Sequence, residues 1–342
     1  MKKVLLTNTK PYFKANLHCH TTISDGRVSK ETIKEHYKKN GYSVVAFTDH
    51  DVLVPHPELN DKDFLALNGY EIQLDKWESD DYADTKTCHI CFIALEEDNR
   101  YPACLRRTGY KVGNADNYTH LLEFQDDQED FDVSYGLNQV NLAFKTGREH
   151  GYFVTYNHPT WSQENYPIYS KYEGMCAMEV FNTMEHRDYL TYNRHIYDDL
   201  LRQNKRIYCI YADDTHCHYP LGHPMNDACG GWVNINADEL KYRTITKALE
   251  NGEFYSSNGP EIYNLYVEDG KIHIECSPVK RIIFSVGRRN NSARVETENY
   301  LTSAEHLLNK NDVYIRITLV DEEGKCADTN AYFIDELLKG EQ

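Results

Sequence analysis

Tyr42-Ser43-Val44-Val45-Ala46-Phe47-Thr48-Asp49-His50-Asp51 is the stretch that decides how this chain is read. Its first six residues form a β-rich apolar run, and the run breaks abruptly into a polar, charged tetrad. Upstream, residues 30–39 carry helical patterning, with Lys38 and Lys39 in the last turn ahead of Gly41. A helix leading into a buried strand whose end is polar is one unit of an α/β fold.

The same grammar recurs downstream. Residues 137–150 place Leu137, Val140, Asn141 and Phe144 on one helical face and stop at Gly151. Residues 189–204 space Ile196, Leu200 and Leu201 as a helix does, and 238–251 start at Asp238, carry Ile245, Ala248 and Leu249, and stop at Gly252. Strands are predicted at 152–156 and 206–211. Alternation of this length over residues 1–256 predicts a barrel or a doubly wound sheet. From about residue 260 the pattern changes. Val267-Glu268-Asp269-Gly270-Lys271-Ile272 reads as a hairpin with an Asp-Gly turn, and alternating runs follow at 279–286, 313–320 and 331–334, with turn chemistry at Glu323-Gly324. We therefore expect two domains, 1–257 and an all-β, sandwich-like module over 258–342, joined after Ser256-Ser257-Asn258-Gly259-Pro260. Residues 96–136 fit neither grammar. They hold an acidic run from Gln125 to Asp132 and a basic cluster of Arg100, Arg106, Arg107 and Lys111, and are expected to form an insertion beside the active-site mouth.

Composition narrows the class. With 342 residues, 40% hydrophobic and 27% charged, the chain has the profile of a soluble globular protein. No apolar stretch approaches the roughly 20 residues of a membrane helix. Val4, Leu5 and Leu6 are too few for a secretory core, so the expected location is the cytoplasm. The ten cysteines are then expected to be reduced thiols, and Cys88-His89-Ile90-Cys91 lies in an apolar run that reads as a buried strand. A formal charge of −17 without a basic stripe argues against large nucleic acids as partners and leaves small anions open. No membrane partner is expected, and nothing in the sequence fixes an oligomeric state.

The chemistry lies at the predicted strand ends. Leu17-His18-Cys19-His20 puts two imidazoles at i and i+2, on one face of an extended chain, and Thr21-Thr22-Ile23-Ser24-Asp25-Gly26 follows as a turn. Val44–Phe47 runs into Asp49 and His50, and Phe64 to Asn68 into Gly69-Tyr70-Glu71. His89 sits in the 88–95 run, Tyr152–Tyr156 runs into Asn157-His158-Pro159, and the 207–212 run into Asp213-Asp214-Thr215-His216. A lone H-x-H is more often surface or hydrogen-bonded chemistry than a metal site, and a single Asp or His after a strand is more often a cap. Six metal-competent strand ends together are not explained that way. Converging histidines and carboxylates are costly without cations between them.

Taken as a set, these motifs resemble those of the PHP (polymerase and histidinol phosphatase) superfamily, over about residues 14 to 257. The resemblance implies a distorted (β/α)7 barrel holding two or three divalent metals (Zn, Mn or Fe). It implies that His18, His20, Glu71 and Asp214 hold one, Glu71, His89 and His158 a second, and Asp25, His50 and His216 a third. Glu71 and Asp214 would hold the nucleophilic hydroxide. A carboxylate able to bridge two ions and a metal-lowered water pKa suit hydrolysis of a small phosphate ester. Arg106, Arg107, Lys111, His186, Arg187 and His218 are candidate substrate contacts, each weighed against ordinary surface roles. Two alternatives keep the site: a hydrolase of carboxylic or carbamate esters, as relatives resembling carbaryl hydrolase imply, or a non-catalytic, metal-stabilised binding module.

Overall fold

The computed structural model describes residues 2–338. At its centre the strands Tyr12–Asn16, Val44–Phe47 and Leu65–Lys76 run parallel, with Ala15 opposite Val44 and Val44 opposite Leu65. Every residue of Val44–Phe47 is buried. A strand covered on both faces shows no polar alternation, which is why its sequence reads as an unbroken apolar run. The helix Lys30–Lys39 before it is capped by Ser29, which accepts the Thr32 amide, and ends at Gly41 in the left-handed region. Its Ile33 and Tyr37 pack with Val45 and Phe47.

Beyond this parallel core the pairing changes. The strand expected to end near Asn68 instead continues through Lys76 and forms a long antiparallel hairpin with Lys86–Ala94, in which Glu71 faces Cys91 and Gln73 faces His89. Gly69 lets the two backbones approach, since a Cβ there would lie 2.9 Å from the Phe92 carbonyl. Tyr152–Tyr156 follows antiparallel, then Ala177–Asn182 and Tyr208–Ala212 in parallel. On the other flank, Tyr12–Asn16 pairs antiparallel with Trp232–Asn236, and that strand with Phe254–Ser257. The two ends of this run meet through a side chain: Ser256 Oγ donates to the Cys209 carbonyl at 2.8 Å and accepts the Tyr211 amide at 3.1 Å. The class is thus α/β, built on one large sheet with several antiparallel pairs where a regular (β/α) repeat has none. Two helices differ from expectation. Residues 189–204 contain the end of Thr183–Tyr189, a left-handed Leu190, and then Arg194–Arg202, while the last of the series begins at Tyr242 rather than Asp238. No described helix is long and apolar enough to cross a membrane.

The C-terminal hairpin Ile262–Glu268 and Lys271–Val279 turns at Asp269 and Gly270, both with positive φ, as a two-residue Asp-Gly turn requires. It is the middle of a four-stranded antiparallel sheet flanked by Leu301–Leu307 and, unexpectedly, by the N-terminal strand Lys3–Leu6. The facing layer is the far end of the large sheet, Arg281–Ser285, Tyr314–Val320 and Cys326–Thr329, the last paired with Phe254–Ser257. Ile272, Ile274, Ile282, Ile317 and Leu319 fill the space between.

A buried ionic network ties these strands to the first 257 residues. Asp328 accepts from Arg194 Nε at 2.8 Å and from the Tyr211 and Thr318 hydroxyls. Arg316 reaches Asp328 at 3.5 Å while its fork grips Asp198 at 2.7 and 2.8 Å. Burial alone would raise the Asp328 pKa, but Arg194 and Arg316 hold it below the usual carboxylate range. Removing one partner strands a buried charge, so Asp328→Ala is expected to destabilise the fold by about 3–5 kcal/mol in denaturant titrations at neutral pH. Because the folded pKa is depressed, that stabilisation is present above the unfolded pKa and is lost on acidification. The gap between wild type and Asp328→Asn therefore narrows as pH falls below about 4. Equal unfolding midpoints at pH 7 would contradict this account.

Candidate metal centre

Two sequence motifs 200 residues apart lie side by side because the chain beyond Asn16 stays extended and pairs with the chain beyond Ala212. The His20 amide donates to the Thr215 carbonyl at 2.9 Å, the Asp214 amide to the His18 carbonyl at 3.0 Å, and Asn16 Oδ1 accepts the Asp213 amide at 3.0 Å. Cys19 points to the other face and packs with Val45 and Phe47. His50 and Glu71 are likewise bridged in parallel. Asp49 accepts from the backbone and hydroxyl of both Thr21 and Ser24 at 2.7–3.1 Å, which fixes the turn that presents Asp25. Gly26 is required in that turn, since a Cβ would sit 2.7 Å from the His20 backbone.

The result is a buried cluster centred on Glu71, whose carboxylate lies within 3.5 Å of five imidazoles: His18, His20, His50, His89 and His158. Its tightest part comprises His18 Nε2, His20 Nε2, Glu71 Oε2 and Asp214 Oδ1. The nitrogens are 3.0 Å apart, and each is 3.1–3.3 Å from both carboxylate oxygens. An ion with bonds of about 2.0–2.2 Å spaces its neighbouring ligand atoms by about 3.0–3.5 Å, so this set fits one. Glu71 Oε2, Asp214 Oδ1, His50 Nδ1 and His89 Nε2 are all buried without a hydrogen-bond partner. Orphaned groups at such density are costly in a protein interior unless cations complete them. Asp25, His216, His50 and His20 form a second group, with His216 Nε2 3.4 Å from Asp25. His89 and His158 each approach Glu71 Oε1 at 3.5 Å. All nine residues named from the sequence are thus brought together, with His20 adjoining the group of Asp25 and His50 adjoining that of His89.

Electrostatics agree with the geometry. Burial would raise the pKa values of Glu71 and Asp214, yet His18 and the neighbouring imidazoles hold both well below normal. Burial opposes protonation of His20, but Asp214 and Glu71 outweigh it and drive its pKa up to about 10. His158 rises to about 9 in the same way, and burial together with His20 pushes His50 down to about 3. Without cations the cluster holds protons in their place.

Several supporting residues were not singled out as site residues from the sequence. Glu179 Oε1 lies 2.7 Å from His18 Nδ1, while Oε2 accepts the His158 amide and the Asn182 carboxamide. It thereby turns His18 Nε2 towards the cluster. Asn157 Nδ2 donates to Glu71 Oε1 at 2.7 Å. The available signal for Glu179 was a carboxylate inside the fully buried strand Ala177–Asn182. Asp213 faces the framework instead, accepting from Tyr37, Thr183 and the amides of Cys229, Gly230 and Gly231, so only Asp214 faces the site. His158 and Asp214 both adopt positive φ, a conformation uncommon for non-glycine residues.

A cavity of about 310 Å³ opens onto the cluster, walled by Trp161, Met184, Arg187 and His218. Trp161 stands edge-on to His89 and His158, and Arg187 pairs with Asp188 at 2.8 Å. A second cavity of about 840 Å³ includes Arg106 and shares Gln73 and Val112 with the first. Three of the candidate substrate contacts line neither cavity. Arg107 pairs with Asp130 at 2.7 Å and stacks on Phe124. His186 turns inward to the Thr191 carbonyl and packs on Phe181 and Tyr192. Lys111 is buried, with Nζ donating to the Arg106 carbonyl.

Among solved structures, the chain is similar to a two-domain protein from Bacteroides vulgatus containing a predicted PHP-like metal-dependent phosphoesterase, at 13% identity and TM-score 0.46 over 93% of each chain. It is also similar to a proposed metal-dependent phosphoesterase from Bifidobacterium adolescentis, at 16% identity and TM-score 0.38 over 64% of this chain and 93% of that one. An amidohydrolase from Chromobacterium violaceum is similar at 14% identity and TM-score 0.36, over 59% and 87%. No curated protein matches the chain. The PHP domain family model matches residues 16–215, a span that runs from the first strand of the cluster to the closing Asp214-Thr215, and the chain belongs to that family.

Proposed function

We propose that this protein is a metal-dependent phosphoesterase that hydrolyses a small phosphate ester in the cavity over Glu71. The supporting observation is the Glu71 carboxylate itself, buried among five imidazoles with Oε2 lacking any hydrogen-bond partner. In this reading the run of strands from Trp232–Asn236 round to Tyr208–Ala212 is the distorted barrel of the family. His18, His20, Glu71 and Asp214 would hold one ion, Glu71, His89 and His158 a second, and Asp25, His50 and His216 a third. Divalent ions there would supply Lewis acidity and a water ionised near neutral pH.

The chain's own residues do the rest. Glu71 and Asp214 fix where the attacking oxygen is held, and Asn157 keeps the Glu71 carboxylate from rotating. Glu179 holds the proton on His18 Nδ1 and so leaves Nε2 as a lone pair. Trp161 and Met184 line the cavity, Arg187 offers charge to a phosphate oxygen, and His218, stacked on His216, stands in the same wall within reach of a bound substrate.

Three outcomes are expected. Protein loaded with Mn²⁺ or Zn²⁺ should hydrolyse p-nitrophenyl phosphate faster than p-nitrophenyl acetate, and Glu71→Gln should lower kcat/KM by about 10³-fold or more. Inactivity on a broad phosphoester panel with metals confirmed bound would overturn the reading. Glu179→Gln should weaken metal affinity about 10- to 100-fold, read by competition with a chelating dye. Because His20 and His158 have raised pKa values, the metal-free protein carries protons on them at pH 7.5. Metal uptake should therefore release protons, detectable by calorimetry in buffers of different ionisation enthalpy, and affinity should fall as pH falls.

A further inference from the structure

The strand that carries Glu71 does not stop at the metal cluster. Gln73, Asp75 and Trp77 follow at every second position, and all three line the 840 Å³ cavity. At a rise of about 3.3 Å per residue, Gln73 lies about 7 Å and Asp75 about 13 Å along the strand from Glu71. Gln73 stands directly across from His89, belongs to the walls of both cavities, and its side chain makes no hydrogen bond among the described residues. The two cavities thus form one path leading away from the cluster.

The larger cavity has a distinct chemistry. Asp51, whose amide donates to the Glu71 carbonyl at 2.9 Å, lines its near end and Asp75 and Asp132 line it further out, and none of the three forms an ion pair among the described residues. Their positions are set by neighbours: Asp51 accepts the Val112 amide, Asp75 the Thr87 hydroxyl, and Asp132 the amide and hydroxyl of Ser134. A carboxylate has about four lone-pair sites, so each retains acceptor capacity towards the cavity. Arg106 is the one basic residue in the wall, and its guanidinium already donates to the Tyr110 carbonyl at 2.9 Å. Trp77 and Tyr110 stand 55% and 67% exposed in the same wall, and Tyr110 offers a large ring against which a ligand ring can lie.

We propose that this second cavity receives the leaving-group side of the substrate, and that this group is ring-bearing, rich in hydroxyl or amino donors, and free of any second anionic group. The proposal rests on the phosphoesterase reading of the first cavity. Hydrolysis breaks the P–O bond: water gives its oxygen to phosphorus and a proton to the departing alkoxide, so the product left beside Trp77 is a free, donor-rich alcohol. A second phosphate or carboxylate on that group would face the carboxylates of Asp75 and Asp132 in the cavity wall.

Two measurements test it separately. In the first, free glucosamine, free glucose and inorganic phosphate are titrated by calorimetry into the full-length protein with and without Mn²⁺. Saturable binding of either sugar, weakened about tenfold in Asp75→Asn and in Trp77→Ala, is expected in both forms. Preference between the two sugars tells amino from hydroxyl recognition. In the second, kcat/KM is compared for glucosamine 6-phosphate, glucose 6-phosphate, fructose 1,6-bisphosphate and p-nitrophenyl phosphate. The monophosphates of the sugars should exceed the bisphosphate, and both substitutions should lower sugar phosphate turnover about tenfold relative to p-nitrophenyl phosphate, through KM. Absence of sugar binding in variants and wild type alike, or a preference for the bisphosphate, overturns the cavity assignment. Sugar binding that depends on Asp75 and Trp77, with no ester hydrolysed at all, supports the cavity and defeats the phosphoesterase reading instead. Circular dichroism melts of both variants, whose altered side chains lie at the surface of the cavity, separate lost binding from lost folding.

Discussion

A carboxylate buried among imidazoles is the constraint around which this molecule is arranged. Glu71 lies at the centre of five histidines delivered by four different stretches of chain, and it is fully buried. Such a group is stable only if positive charge surrounds it, as protons on the imidazoles or as cations between them. Protons satisfy the charge but not the geometry: Glu71 Oε2 and Asp214 Oδ1 stay without hydrogen bonds even when His18 and His20 face them. The spacing of those atoms suits a sphere of ligands about an ion, and the strand ends, the hairpin through Gly69 and the extended pairing of residues 18–20 with 214–216 all serve to produce it.

Other buried carboxylates near the cluster show the contrast. Asp49, Asp213 and Glu179 are as deeply buried as the proposed ligands, but each is met by donors: Thr21 and Ser24 for Asp49, five donors for Asp213, and His18, the His158 amide and Asn182 for Glu179. Donors meet these three framework carboxylates, whereas Glu71 Oε2 and Asp214 Oδ1 are left without one. Adjacent residues Asp213 and Asp214 fall on opposite sides of this division, with the positive φ of Asp214 turning its side chain away from the path of its neighbour.

That division explains what the sequence discloses and what it hides. His18, His20, His50, His158, Asp214 and His216 were legible because they follow apolar runs that end abruptly, and a strand end is local information. The helices Lys30–Lys39 and Leu137–Glu149 and the Asp-Gly hairpin were legible for the same reason. The extension of Leu65–Lys76 past Glu71 was not, because three of its last four residues, Gln73, Asp75 and Lys76, are polar on a strand that forms one wall of a cavity. Glu179 was passed over because nothing near it in sequence reports that His18 lies opposite. Arg107 and His186 line neither cavity, because Asp130 and the Thr191 carbonyl, which claim them, are partners that only the folded chain supplies. Residues 3–6 fall in the expected 1–257 domain, whereas the pairing partner of the strand Lys3–Leu6 lies some 260 residues away.

The C-terminal strands bear on the cluster through one element. Tyr208–Ala212 leads directly into Asp213 and Asp214, and its outer side is held by residues from beyond 250. Ser256 bonds its backbone at Cys209 and Tyr211, Asn330 accepts the Cys209 amide at 2.9 Å, and the Tyr211 hydroxyl ends in the Asp328 network with Arg194. Ligand atoms spaced within a few tenths of an ångström need a backbone that does not shift, and a strand with paired neighbours on one side only has no such guarantee. The buried ion pairs are costly to assemble and give up more than they gain if a partner is lost. Their position behind the strand that leads into Asp214 makes the C-terminal layers part of the rigid support of the site rather than an appendage to it.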